Sequence, residues 1–220
     1  MRLRAWLAVA VFASASFAAQ AATPAAAPVL GSEYIEIPGG QPFAPAPGKI
    51  EVAEVFGYVC PHCAHFEPQL AAWQARQPAD VKLTRVPAPF GGYWLPYARA
   101  YFAAERLGVV GKTHQAMFDA LHVNGTLPIQ NVSIDELATF YAGYGVKPET
   151  FSATIRSAEI DAQIKHAEDF LTRSDTDSTP ALIVAGRYKV IGAKSYDDLL
   201  RIADALVAME RAKRRGGKAK

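Results

Sequence analysis

The only two cysteines of this 220-residue chain lie in one motif, Cys60-Pro61-His62-Cys63. Neither has another thiol to pair with, so a framework of structural disulfides is ruled out and a redox dithiol is the leading reading. The reactive species in such a pair is the thiolate. If a helix begins at the motif, Cys60 sits where unpaired backbone N–H groups and the helix dipole favour negative charge, an effect of about 0.3–2 kcal/mol. At about 1.36 kcal/mol per pKa unit, this lowers the Cys60 thiol by roughly one unit. His62 adds a second favourable effect if it is protonated or donates an N–H. Pro61 presets the first turn, and Cys63, one turn further in, should be more buried. A low-pKa thiolate is a good leaving group, and stabilising the reduced form makes the disulfide a stronger oxidant. The expected exchange has three steps. A substrate thiolate attacks Cys60 of the disulfide, a mixed disulfide forms, and a second substrate thiol resolves it.

Other uses of the motif fit less well. A structural zinc site takes four ligands, normally in two separated pairs. There is no second CxxC here, and His114, His122 and His166 fall in helical patterns elsewhere. No metal and no other cofactor is therefore expected beyond the Cys60–Cys63 disulfide itself. Haem attachment needs CxxCH, and residue 64 is alanine. An inert CxxC disulfide closes so small a ring that it constrains little, far less than the roughly 3 kcal/mol of a 15-residue loop.

The elements that must position the motif follow from periodicity. Ile50 to Tyr58 is an apolar run suited to a strand buried on both faces, interrupted by Glu54. After the motif, Phe66, Leu70 and Trp73 share one helical face, with Pro68 inside the pattern as an expected kink. Val81 to Val86 reads as a second strand. Then the period becomes helical: Tyr93–Leu107, stopped by Gly108; Lys112–Leu121; a helix opened by the capping box Ser133 to Glu136 and ending near Gly143; one starting at Pro148; and Ala158–Leu171. Ser178-Thr179-Pro180 precedes two short β runs, Ala181–Val184 and Arg187–Ile191, with Gly186 at the turn. Ser195 caps a last amphipathic helix carrying Leu199, Ile202, Ala203 and Leu206 inward.

Arg2 and Arg4, the apolar run Ala5–Phe17 and the small-x-small site Ala19-Gln20-Ala21 read as a cleaved export signal. The run is too short for the roughly 20 residues that span a bilayer, so a soluble exported chain starting near Ala22 is expected. Of 23 basic and 21 acidic residues, two arginines lie in the signal, leaving the mature chain neutral and without the excess that nucleic acid would require. The expected organisation is a signal over 1–21, a leader over 22–48, a sheet-bearing half over 49–90, a helical insertion over 91–167, a second sheet-bearing half over 168–210 and a flexible basic tail over 211–220.

The run Glu54-Val55-Phe56-Gly57-Tyr58-Val59 followed by CPHC resembles the DsbA-type periplasmic thiol:disulfide oxidoreductases of the thioredoxin superfamily, and the element order agrees along almost the whole mature chain. The resemblance implies an α/β thioredoxin fold interrupted by an all-helical domain. It implies a monomeric periplasmic dithiol oxidase acting on exported, unfolded polypeptides and re-oxidised by a DsbB-like quinone-linked membrane protein. Thr179-Pro180 matches the family's cis-proline loop, which lies beside the sulfurs and offers backbone to a bound peptide. Glu54 matches a buried acid beneath the active site, able to relay a proton for Cys63, and Arg85 stands near a position where some relatives carry a lysine. Phe66, Phe90, Tyr93 and Trp94 are candidates for an apolar groove or for plain core. A reductase or isomerase, or a non-enzymatic peptide-binding protein, remain the alternatives.

Overall fold

The computed structural model describes residues 27–217; the signal and the start of the leader lie outside them, as do Lys218 and Lys220. A five-stranded sheet forms the centre, in the order β1-β5-β4-β2-β3. The strands are β1 (Tyr34–Glu36), β2 (Ile50–Phe56), β3 (Val81–Pro87), β4 (Ala181–Val184) and β5 (Tyr188–Val190). β2 and β3 run parallel from Ile50 opposite Val81, whereas β4 is antiparallel to both β2 and β5. Central β2 is buried along its whole length, and the two-residue period divides its side chains between two cores. Ile50 and Val52 join Leu182 and Val184 against helices α1 (Pro61–Ala75) and α7 (Tyr196–Gly217). Ala53, Val55 and Ile183 belong to the core shared with the helical block.

That block comprises α2 (Trp94–Arg106), α3 (Val110–His122), α4 (Ile134–Ala142), α5 (Pro148–Ile155) and α6 (Ala158–Arg173). The capping box at Ser133 forms in both directions, and Gly108 takes the left-handed conformation that ends α2. α6 runs past the boundary expected at residue 167. The turn between β4 and β5 takes three residues, Ala185 to Arg187, with positive φ at both Ala185 and Gly186.

Two expectations need correction. The leader is not merely a lead-in: its Tyr34–Glu36 pairs antiparallel with β5 and closes one edge of the sheet. The segment expected to be a flexible basic tail is helical as far as Gly217. Arg211 forks onto Asp80 at 2.6 and 2.9 Å, and Arg214 reaches both Glu210 and the carbonyl of Lys49. Basic residues near a helix C-terminus are favoured by its dipole, and Glu210–Arg214 is an i,i+4 pair of the better orientation.

Candidate active site

Cys60 is the N-cap of α1, with extended backbone and Pro61 as the first helical residue. Its sulfur therefore stands where a capping oxygen would, facing the free N–H groups of the first turn. Cys60 is 6% exposed and Cys63 fully buried. Both are free thiols. The Cys60 pKa falls to about 5. The Cys63 thiol donates to the Cys60 thiolate, and the Thr179 side chain and the N–H groups of Cys63 and His62 add to it, together outweighing the cost of burial. Cys63 moves the opposite way, driven up by burial and by the negative charge on its neighbour. One sulfur is thus a stable anion at neutral pH and the other is not.

His62 turns its backbone N–H toward the Cys60 sulfur, and its side chain is exposed. Its carbonyl accepts from the Tyr196 hydroxyl at 3.0 Å, tying the start of α7 to the motif. The Thr179–Pro180 bond is cis, and the Thr179 carbonyl lies 3.6 Å from the Cys60 sulfur. His62, Thr179, Pro180, Ile191, Tyr196 and Leu199 line a groove of about 550 Å³ that opens beside Cys60. Of the aromatic candidates, Phe66 is core, packed on Tyr196. Phe90 and Tyr93 are exposed and flank the half-buried Trp94.

The helical block fixes the approach to the motif. The Trp94 ring lies so close to Gly57 that any Cβ there would sit 2.2 Å from it. His122 Nε2 bonds the Tyr58 carbonyl at 2.7 Å, and the Tyr58 hydroxyl bonds His114 Nδ1 at 2.8 Å.

Beneath the sulfurs lies a buried charge cluster. Glu54, on the α1-facing side of β2, is 1% exposed. Burial first, and then the nearby charge of Glu67, raise its carboxyl to about 8. Arg85, paired with Glu54 in the β2–β3 register, turns mainly to Glu67: Nη2 is 2.5 Å from Oε1 and Nε 3.4 Å from Oε2, against 3.7 Å from Nε to Glu54. The sequence reading named Glu54 and Arg85 but missed Glu67 and His114. Glu67 was legible in principle, one turn after Cys63 on the stripe of Cys63, Phe66, Leu70 and Trp73. His114 heads a similar stripe with Met117, Phe118 and Leu121. Removing one partner of a buried charge cluster is strongly destabilising. Arg85→Met, which keeps the apolar stem, is expected to lose about 3 kcal/mol at pH 7 by denaturant unfolding, and less near pH 4, where Glu67, no longer held down by Arg85, can protonate in the variant. An unchanged unfolding midpoint at pH 7 would mean that Arg85 does not balance this cluster.

Among the described residues no group of three or more His, Cys, Asp and Glu side chains converges as metal ligands. No helix there is long and apolar enough to cross a membrane.

Comparison with known proteins gives one answer throughout. A thioredoxin family model matches residues 44–205. The chain is 36% identical to the thiol:disulfide interchange protein DsbA of Azotobacter vinelandii over 83% of its own length and 85% of that protein. It is 54% identical to the oxidoreductase DsbA of Xylella fastidiosa in its crystal structure, with a TM-score of 0.82 over 84% of this chain and 98% of that one. For the crystal structure of Pseudomonas aeruginosa DsbA the corresponding values are 36%, 0.77, 84% and 95%.

Proposed function

Because the chain belongs to the thioredoxin-fold family of DsbA thiol:disulfide oxidoreductases, we propose that its Cys60–Cys63 disulfide is donated to exported, unfolded polypeptides in the periplasm. The observation that carries this reading is the opposed titration of the two sulfurs. A substrate thiolate attacks the Cys60 sulfur, breaks the Cys60–Cys63 bond and expels the Cys63 sulfur. Cys63 is a poor anion, so it leaves best with a proton. Glu54, raised to about 8, holds one at neutral pH within electrostatic reach. A second substrate thiolate then attacks the substrate sulfur of the mixed disulfide. It expels Cys60, a good leaving group because its thiolate is stabilised. The substrate leaves oxidised and the Cys60/Cys63 pair is reduced.

In this reading Thr179 and Pro180 hold the substrate backbone, and the groove from His62 to Leu199 takes a flanking apolar side chain. Pro61 and His62 set the first turn of α1. No cofactor enters beyond the disulfide. A DsbB-like quinone-linked membrane oxidase restores the disulfide, and the working form is a monomer cleaved near Ala22.

The test is equilibration of the purified mature chain in glutathione buffers. A thiol lowered to about 5 is about a hundredfold ionised at pH 7. At about 30 mV per tenfold, that raises the potential by roughly 60 mV over a pair with unperturbed thiols. The expected result is a disulfide far more oxidising than glutathione. A disulfide more reducing than glutathione would assign the chain to reduction and remove the donor reading.

A further inference from the structure

Glu54 and Glu67 meet the half-buried guanidinium of Arg85, His114 meets Glu67, and the exchange described above uses only Glu54. His114 is buried on α3, with its ring edge against Phe56 and Phe118 at 5.1 and 5.3 Å between centroids. Its two nitrogens face different partners: Nδ1 meets the Tyr58 hydroxyl at 2.8 Å, and Nε2 meets Glu67 Oε2 at 3.2 Å.

The partners fix the ring hydrogen. A lone pair on Nε2 would face a carboxylate oxygen and be repelled by it. With the hydrogen on Nε2, the Tyr58 hydroxyl donates to Nδ1 and Nε2–H points to Glu67. The second contact is a close ion–dipole pair rather than an aligned hydrogen bond, since Nε2 has no partner that meets hydrogen-bond geometry. Burial lowers the His114 pKa and leaves the ring neutral at pH 7.

The rest follows from charge counting. Two buried carboxylates share one cation, so they do not both ionise cheaply. Glu67 has the fork of Arg85 and the dipole of His114. Glu54 has only the 3.7 Å contact to Arg85, and its Oε2 has no hydrogen-bond partner. The other titratable groups around the cluster are Tyr58 before α1, Cys60 and Cys63 on α1, Tyr101 on α2 and Tyr141 on α4. The three tyrosines are all shifted upward by burial and stay neutral.

We propose that His114 is a positioning residue that decides which carboxyl carries the proton: its Nε2–H holds the negative charge on Glu67, beside Arg85, and so leaves the proton on Glu54, where Cys63 needs it. This rests on the assignment of Glu54 as the proton holder, and the test separates the two. The readout is the infrared carbonyl band of a buried protonated carboxyl in the reduced chain, followed against pH. The Cys60 thiolate absorbance serves as a check that the fold is kept.

The band is expected to persist to about pH 8 and to vanish in Glu54→Gln. In His114→Phe, which keeps a ring but no nitrogen, the proton is expected to pass in part to Glu67, where Arg85 donates to it, so the band should shift to lower wavenumber while its midpoint does not fall. His114→Gln, which restores an N–H toward Glu67, should return the band toward its original wavenumber. Glu67→Gln, which removes the competing charge and frees Arg85 for Glu54, should lower the midpoint of the Glu54 band. It reports independently if the phenylalanine variant does not fold. A band that keeps its wavenumber in His114→Phe, or that shifts as far in His114→Gln as in His114→Phe, overturns the role of His114. A band that survives in Glu54→Gln overturns the assignment of Glu54 itself.

Discussion

Cys63→Ser is expected to turn the mixed disulfide from a passing intermediate into an end product. The lone Cys60 thiolate attacks glutathione disulfide, forms the Cys60–glutathione bond and releases one glutathione thiolate. In the native chain Cys63 then attacks Cys60 from within the same helical turn. Well-oriented intramolecular groups act at effective concentrations on the order of 10⁵ M or more, which free thiols in solution do not match. The adduct should therefore persist at least about 10³-fold longer in the variant, read by mass spectrometry after quenching. Cys60→Ser should have the opposite phenotype, with exchange at background level. Cys63 is fully buried and its thiol is pushed up, so it presents neither access nor a thiolate. Comparable adduct lifetimes in native chain and Cys63→Ser, or residual exchange in Cys60→Ser, would remove the assignment of attacking and resolving sulfurs.

The second large effect is on stability. Cys60 is lowered to about 5 in the folded reduced chain, against about 8.5 for an unfolded thiol. Between those values the unfolded chain binds more protons than the folded one, so the stability of the reduced form rises with pH by about 1.4 kcal/mol per unit. The contribution is complete above pH 8.5, where it reaches about 5 kcal/mol; it is about 3 kcal/mol at pH 7 and is lost as pH falls through 5. Glu54, raised to about 8, acts with the opposite sign, since stability is lost as pH rises from its unfolded value through 8. The main causes of its raised value, burial and the Glu67 charge, are common to both redox forms and cancel in their difference; only the smaller effect of the Cys60 charge remains. Denaturant unfolding of the reduced and oxidised chains from pH 4 to 9 should show a gap moving in favour of the reduced form from pH 5 upward. A gap that stays flat with pH would mean that the folded protein does not stabilise the Cys60 thiolate.

These two expectations rest on different parts of the molecule. The identities of the sulfurs come from the motif, while the spread of their acidities comes from what surrounds them. Thr179 lies far along the chain from Cys60, yet its carbonyl sits 3.6 Å from the sulfur. The helical block, inserted between the two sheet-bearing parts, reaches back through Trp94, His114 and His122 to set Gly57 and Tyr58, just before the motif. Insertion into the loop of a sheet thus serves the chemistry by fixing the backbone from which α1 starts.

From the sequence alone came the dithiol, the strand before it, the helix it opens, the hairpin after Thr179-Pro180 and the order of helices between them. Each is written in local spacing: a two-residue alternation, a 3.6-residue stripe, a capping box, a glycine where φ turns positive. Only the tertiary structure decided what depended on partners distant in the chain. β1 has three residues and no periodicity to speak of, and exists because β5 offers it an edge. Arg211 and Arg214 look like a loose charged tail until Asp80, Glu210 and the carbonyl of Lys49 are brought beside them. His62 was expected to favour the Cys60 thiolate if protonated or donating an N–H, and the chain's path leaves its ring exposed with its backbone N–H toward the sulfur. Glu67 and His114 are unremarkable on their own helices. They become one buried cluster with Glu54 and Arg85 because burial removes water as the alternative partner, and charges without water must find one another.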